Sequence, residues 1–268
     1  MERHVVITGA AGGLGRAIAE SFAADGDRIT GVDVRADSVR EALAGIGERY
    51  GTPVEPIEAD LGTPGAGSLV DTAWDRHGPV DVLVNAAGIW PATPLLDMTD
   101  DTWDRVLAVN TRAPVMTAVA LARRAVAASR PACVVNIASG AALRARPGAA
   151  HYATSKAALE MATRACAVEL GQHGIRVNAV SPGFVRVDSE VNPITDDYAA
   201  AVSPNALGEP GRPDDVAGAV HYLASPEARW ITGTVIRVDG GSSAGNPALP
   251  IHWNGATAVQ TAPEAPAR

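Results

Sequence analysis

Short runs of β-branched residues, spaced by longer alanine-rich stretches, confine this chain to one kind of fold. The runs are Val5–Ile7, Arg28–Val32, Val54–Ile57, Val80–Val84, Cys133–Ile137, Ile175–Val180 and Thr234–Val238. Most are continuously apolar rather than alternating, the pattern of strands buried on both faces of a parallel sheet. Between them the spacing predicts helices near residues 13–25, 38–50, 66–77, 102–129, 150–172 and 213–225. Repeated strand–helix alternation reads as an α/β doubly wound parallel sheet of the Rossmann type, with helices on both faces and right-handed crossovers. No internal repeat or linker divides the chain, so one domain is expected over residues 1–243, with a C-terminal tail at 244–268. Two segments break the alternation: a polar stretch at 184–212, read as a lid or binding loop, and that tail, which carries an isolated Ile251-His252-Trp253. The tail is expected either to fray or to dock over a neighbouring subunit.

Composition removes other classes. The 268 residues hold 22 Lys and Arg against 30 Asp and Glu, a net charge of −8, which disfavours a nucleic-acid partner. Two cysteines, Cys133 and Cys166, make no CxxC pair, so neither a disulfide scaffold nor a cysteine-rich metal site is expected, and a reducing, cytoplasmic setting fits. No leader peptide and no membrane span are expected either, since Arg3-His4 leads straight into the first run and no apolar stretch is long enough to span a bilayer.

The first run ends in Thr8-Gly9-Ala10-Ala11-Gly12-Gly13-Leu14-Gly15, directly before a predicted helix. A strand feeding a helix through glycines lets the backbone approach a pyrophosphate, whose charge then meets the helix N-terminus. Gly9 would serve the turn, Gly13 the close approach and Gly15 the helix packing, with Gly12 and Leu14 lining the same loop. The second run is followed by Asp33, placed to accept hydrogen bonds from ribose hydroxyls and to repel a 2′-phosphate. Val34 and Gly12 place no cation where such a phosphate would need one, and Arg16 and Arg35 read as solvated. The expected cofactor is NAD rather than NADP.

Tyr152 and Lys156 lie four apart on a predicted helix and therefore share a face. A phenol near pKa ~10 is mostly protonated at neutral pH, and a nearby ammonium favours the phenolate. Ser139 follows the fifth run at the carboxyl edge of the sheet, where open α/β folds bind ligands, and can donate to an oxygen gaining negative charge.

With these residues in view, the chain resembles the short-chain dehydrogenase/reductase family over about residues 3–243. The markers are the Thr8–Gly15 loop, Asp60 in Ala59-Asp60-Leu61, Asn85-Ala86-Ala87-Gly88, Asn110, Ser139, Tyr152, Lys156, Pro182-Gly183 and Asp239-Gly240-Gly241. The resemblance implies that Tyr152 is the general acid in reduction and general base in oxidation. Lys156 would hold the nicotinamide ribose and lower the Tyr152 pKa, and Ser139 would polarise the substrate oxygen. Asn110 would help hold a water linking Lys156 to solvent. Asp60 with Leu61 would face the adenine, Asn85, Ala86 and Gly88 would support the central strand and cofactor, and the backbone around Pro182, Gly183 and Val185 would meet the carboxamide. One departure is Val187, where the family often has Thr, so that backbone groups, Ser189 or an altered loop must replace a hydroxyl bond to the cofactor, or the cofactor binds somewhat more weakly.

The substrate is read from less regular positions. Trp90, Leu143, Phe184 and Val185 suggest an apolar cleft and a hydrophobic or aryl secondary alcohol or its ketone, although Trp90 would equally serve as packing under the lid. Arg144 and Arg146 read as a solvated loop rather than as an anion site, His151 as structural, and Asp188 and Glu190 as lid surface. The alternatives are a 3-oxoacyl-thioester reductase and a non-catalytic cofactor-binding protein of regulatory role. The alanine-rich helices 102–129 and 150–172 permit close packing, and the family resemblance implies a homotetramer through them, with a dimer as the alternative.

Overall fold

The computed structural model describes residues 2–187, 204–245, 247 and 249. Seven parallel strands form a single sheet there: β1 (His4–Thr8), β2 (Arg28–Asp33), β3 (Val54–Glu58), β4 (Val82–Asn85), β5 (Ala132–Ile137), β6 (Ile175–Pro182) and β7 (Val235–Val238). Their spatial order is β3-β2-β1-β4-β5-β6-β7. The order reverses between β1 and β4, and a ligand crevice opens outside the carboxyl ends of strands at such a switch point.

Successive side chains of a strand point to opposite faces, and both faces are apolar. Val5 and Ile7, Val82 and Val84, and Cys133 and Val135 join one core with α1 (Gly13–Ala24), α2 (Ala36–Tyr50) and α7 (Pro213–Ala224). Val6, Leu83 and Val134 join the opposite core with α3 (Ser68–His77), α5 (Ala113–Ala127) and α6 (Ala150–Leu170). Phe22, Leu43 and Leu223 are wholly buried in the first core, and Leu121 in the second. The continuous apolar runs thus have their cause in helices on both sides.

The long helix expected at 102–129 divides into α4 (Asp100–Leu107), a π-helical turn over Ala108–Arg112, and α5. Thr99 caps α4, its hydroxyl accepting from the Thr102 N–H. Pro114, in the first turn of α5, has no N–H to donate to the carbonyl of Asn110, so an unbroken α-helix cannot pass this point with every acceptor paired. The sequence pattern shows alanine periodicity there but not the register change that follows from the proline.

Both ends of the polar stretch 184–212 are anchored. Val185 and Gly211 form a parallel bridge, and Asn205 packs against the Gly240 backbone, with the Ala206 N–H donating to the Gly240 carbonyl at 2.8 Å. Ser189, Asp188, Glu190 and Ile251-His252-Trp253 lie outside the described residues. Among those described, no helix is long and apolar enough to cross a membrane.

Candidate active site

At the carboxyl end of β1 the backbone turns sharply. Gly9 takes φ +73° and Gly13 φ +55°, left-handed values that side chains rarely tolerate. A Cβ on Gly9 would sit 2.9 Å from the Ala87 backbone, and one on Gly15 only 2.1 Å from the Gly9 carbonyl oxygen. The loop is therefore a cradle that only glycine leaves open. Gly12 precedes α1 in an extended conformation, and no side chain caps the helix or places an acid in its first turn. Its free N–H groups and positive dipole end fit a pyrophosphate. Val187 lies over this loop, its Cβ and Cγ1 3.9 Å from where a Gly13 Cβ would stand. The Val-for-Thr departure thus puts a methyl, not a hydroxyl, against the cradle. Leu14 packs against the first core.

The loop is tied to its neighbours through side chains. Thr8 Oγ1 accepts the N–H groups of Ala86 and Ala87, each at 3.1 Å, which draws the end of β4 to the end of β1. Asp33 Oδ2 accepts the Ala11 N–H at 3.3 Å, and Asp33 Oδ1 accepts the Arg35 N–H at 3.1 Å. The Arg35 side chain also turns back to Asp33, at 3.5 Å, rather than standing alone in solvent.

Asn85 sits beneath the site in a buried polar chain. Its Nδ2 donates to Asn136 Oδ1 at 2.9 Å, its Oδ1 accepts from the Thr117 hydroxyl at 2.9 Å, and Asn136 Nδ2 donates to the Thr163 hydroxyl at 2.9 Å. These bonds pin α5 and α6 to adjacent central strands, and every member is satisfied, as burial demands. Asn136 and the two threonines carry no signal in the sequence, since the chain links four separated segments.

Asp60 is paired within the chain. Both of its oxygens meet the Arg105 guanidinium, at 2.8 and 3.1 Å, and Oδ1 also accepts the Gly62 N–H at 2.9 Å. The Arg105 bonds, then that N–H, hold its carboxyl below the usual range. Its side chain stays 36% exposed, beside the buried Leu61. Arg105, on α4, is a residue that sequence reasoning missed, because the pair forms only through the tertiary fold.

Tyr152 and Lys156 share one face of α6, as their spacing requires, and the Lys156 Nζ lies 5.9 Å from the centre of the tyrosine ring. Ser139, at the end of β5, shares a hydrogen bond with the Tyr152 side chain, while its Oγ accepts the Ala141 N–H at 3.1 Å. Burial pushes the Tyr152 phenol above its ordinary range; the Ser139 bond and the charge of Arg146 pull it back. Lys156 is 4% exposed and donates to the Ile137 carbonyl at 2.7 Å, and burial pushes its ammonium down to about 8. On the loop read as solvated, Arg144 is exposed and Arg146 half-buried.

Asn110 is wholly buried at the π turn. Its Nδ2 donates to the Ile89 carbonyl at 2.8 Å and to Ser155 Oγ at 3.0 Å, and its Oδ1 accepts the Ile89 N–H at 2.9 Å. The side chain is thus spent on fixing α6 against the exit of β4. A Cβ on Gly88 would lie 3.4 Å from Asn110 Oδ1 and 3.5 Å from Lys156 Nζ, so Gly88 keeps the two close to the backbone. His151 is buried, and burial lowers its imidazole pKa.

The apolar candidates lie at the same edge. Trp90 is 39% and Leu143 52% exposed, and their loops are stitched by the Thr93 N–H donating to the Gly148 carbonyl at 2.9 Å. Phe184 is half-buried, its carbonyl accepting the Gly211 N–H at 3.0 Å. Beyond Pro182, Gly183 presses on the end of β7, where a Cβ would meet the Asp239 Cα at 2.7 Å.

Comparison with known proteins places this geometry among relatives. A family model described as enoyl-(acyl carrier protein) reductase matches residues 9–243. L-rhamnose 1-dehydrogenase (NAD(P)(+)) of Azotobacter vinelandii is 34% identical, over 90% of this chain and 96% of that protein. (3R)-3-hydroxyacyl-CoA dehydrogenase of Rattus norvegicus is 34% identical, over 88% and 94%. A solved structure of 4-hydroxyisoleucine dehydrogenase complexed with NADH superposes with a TM-score of 0.83 at 31% identity, covering 91% of this chain and all of that one.

Proposed function

The chain belongs to the short-chain dehydrogenase/reductase family of NAD(P)-dependent oxidoreductases, and from that premise we propose that it is an NAD-dependent dehydrogenase of hydrophobic or aryl secondary alcohols, or a reductase of their ketones. The observation that carries the reading is the cluster of Ser139, Tyr152 and Lys156 beside the glycine cradle of β1. The nicotinamide, when bound, supplies the hydride chemistry. Tyr152 holds the proton of the reacting oxygen, giving it up or taking it according to direction, and Ser139 orients both that oxygen and the phenol. Lys156, with a pKa brought to about 8, is poised to pass a proton near neutral pH and to bind ribose hydroxyls. Since the Asn110 side chain is fully used, its main-chain carbonyl, deprived of an α-helical donor by Pro114, is the group we assign to a relay water. Gly9, Gly12, Gly13, Leu14 and Gly15 form the pyrophosphate cradle; Leu61, Ala86, Gly88, Pro182, Gly183 and Val185 line the remainder of the cofactor cleft in this reading.

Support for NAD over NADP comes from Asp33, whose carboxylate stands at the end of β2 against the glycine loop and repels a second negative charge. Asp33→Ala is expected to narrow the ratio of NAD to NADP efficiency by about tenfold, the scale of one charge-assisted hydrogen bond. An unchanged ratio would show that Asp33 does not face the ribose. The activity itself is tested by following reduced-nicotinamide absorbance with NAD, then NADP, across aliphatic, aryl and cyclic secondary alcohols. Adding a 3-hydroxyacyl thioester to that panel tests the second reading, which the likeness to the rat acyl-CoA enzyme favours.

We further read the chain as a homotetramer, with a dimer as the alternative. Met116 and Val126 on α5, Met161 and Val168 on α6, and Trp230 before β7 leave large apolar groups in water, with Val168 83% and Trp230 90% exposed. Sedimentation at micromolar concentration is expected to give four copies; a monomer would refute this.

A further inference from the structure

The turn that follows β3 is held from outside the sheet by two arginines. The Ala59 N–H donates to the Asp33 carbonyl at 3.0 Å, and Leu61 packs in the second core with Val6 and Val32, so the Asp60–Gly62 turn stands beside the carboxyl end of β2. From α4, Arg105 lays its guanidinium fork on Asp60, Nη2 on Oδ1 at 2.8 Å and Nη1 on Oδ2 at 3.1 Å. From the end of the π turn, Arg112 donates to the Gly62 carbonyl at 2.7 Å. Gly62 makes room for the fork, since a Cβ there would stand 1.8 Å from Arg105 Nη1 and 2.3 Å from its Cζ.

The fork contributes little to stability. The Arg105 side chain is 45% and that of Asp60 36% exposed, and ion pairs so open to water add little to folding. What two parallel hydrogen bonds do fix is direction. An ionised carboxylate offers about four acceptor sites and no donor. Among the described residues, Oδ1 takes two donors, Arg105 and the Gly62 N–H at 2.9 Å, whereas Oδ2 takes Arg105 alone. One acceptor site is thus left on Oδ2, on a carboxyl that its partners hold below the usual range. With the adenosine ribose at Asp33, the base it carries falls at this edge of the sheet.

We propose that Arg105 is a positioning residue for the base of the cofactor: acting through Asp60, it holds Oδ2 ready to accept an exocyclic amino group and so selects a 6-aminopurine over a 6-oxopurine. The oxygen of a 6-oxopurine would face the carboxylate as a second acceptor. This rests on the nicotinamide-dinucleotide reading and deepens it at the end of the cofactor remote from the chemistry.

The test measures the Kd of NADH and of reduced nicotinamide hypoxanthine dinucleotide, by dihydronicotinamide fluorescence, in the wild-type protein and in R105Q, R105K, G62A and D60N. The wild-type protein is expected to prefer NADH by about tenfold, the scale of a hydrogen bond to a charged group. R105Q brings the two affinities close to parity, and R105K, which keeps the charge but not the fork, leaves part of the preference. G62A displaces the guanidinium without removing it and lowers the preference as R105Q does. D60N removes the preference, and adding R105Q to D60N changes the ratio no further, the non-additivity of two residues that act as one. Taking the ratio cancels any loss of affinity common to both dinucleotides, which is all that a merely structural role of Arg105 would produce. A wild-type ratio near one, or an unchanged ratio in R105Q, would overturn the role of Arg105 and leave the dinucleotide reading standing. Binding of neither dinucleotide by the wild-type protein would overturn both. Should R105Q fail to fold, R105K and G62A decide the matter, and a wild-type ratio in both would overturn the proposal.

Discussion

Tyr152→Phe is expected to lower kcat by at least ~10²-fold while leaving NADH affinity nearly unchanged, the loss typical of a removed acid–base group. The substitution keeps the ring over which Lys156 is placed and removes only the hydroxyl that Ser139 and Arg146 address. Oxidation needs the phenolate, so the wild-type oxidation rate should rise with pH and then level off; the reverse reaction, which needs the phenol, should fall over the same range. Burial moves this titration upward, and the Ser139 bond and Arg146 move it back down. The Phe variant should lose the rising limb altogether. A wild-type profile flat from mildly acid to alkaline pH, with chemistry rate-limiting, would count against Tyr152 as the base, and an undiminished kcat in the variant would remove it from the mechanism.

The features legible in the sequence are those that depend on local spacing. Apolar runs buried on both faces gave the parallel sheet, and every predicted run corresponds to a strand with small shifts at its ends. Glycines at Gly9, Gly13 and Gly15 announced the cradle because positive φ and close approach leave no other residue. Tyr152 and Lys156 were legible because four residues make one helical turn. Long-range pairs were not legible. Nothing near Asp60 in the chain points to Arg105, and nothing near Asn85 points to Asn136, Thr117 and Thr163. The commitment of the Asn110 side chain to Ile89 and Ser155, across the π turn, was likewise not legible.

Gly15→Ala is expected to be the most damaging single-methyl change at the cofactor cleft. Within a helix interior, replacing Gly by Ala ordinarily stabilises by about 1 kcal/mol. Here the added carbon would stand 2.1 Å from the Gly9 oxygen and 2.6 Å from the Gly9 carbon, both backbone atoms of the loop that the helix must meet. Neither can swing aside as a side chain would, so α1 must move off the end of β1. Overpacking of this kind costs about 1–3 kcal/mol and sometimes more, and at about 2–4 °C per kcal/mol it should lower Tm by several degrees. The same displacement spoils the cradle, so NADH affinity should fall by about tenfold or more, the worth of a lost charge-assisted contact to the pyrophosphate. Gly45→Ala supplies the control. Gly45 lies in α2 with nothing within 4 Å of its added carbon, and there the same substitution should raise Tm and leave NADH binding alone. Equal effects of the two substitutions on Tm would show that helix propensity, not contact with Gly9, governs position 15. A Gly15→Ala protein that binds NADH normally would show that this glycine does not shape the cleft.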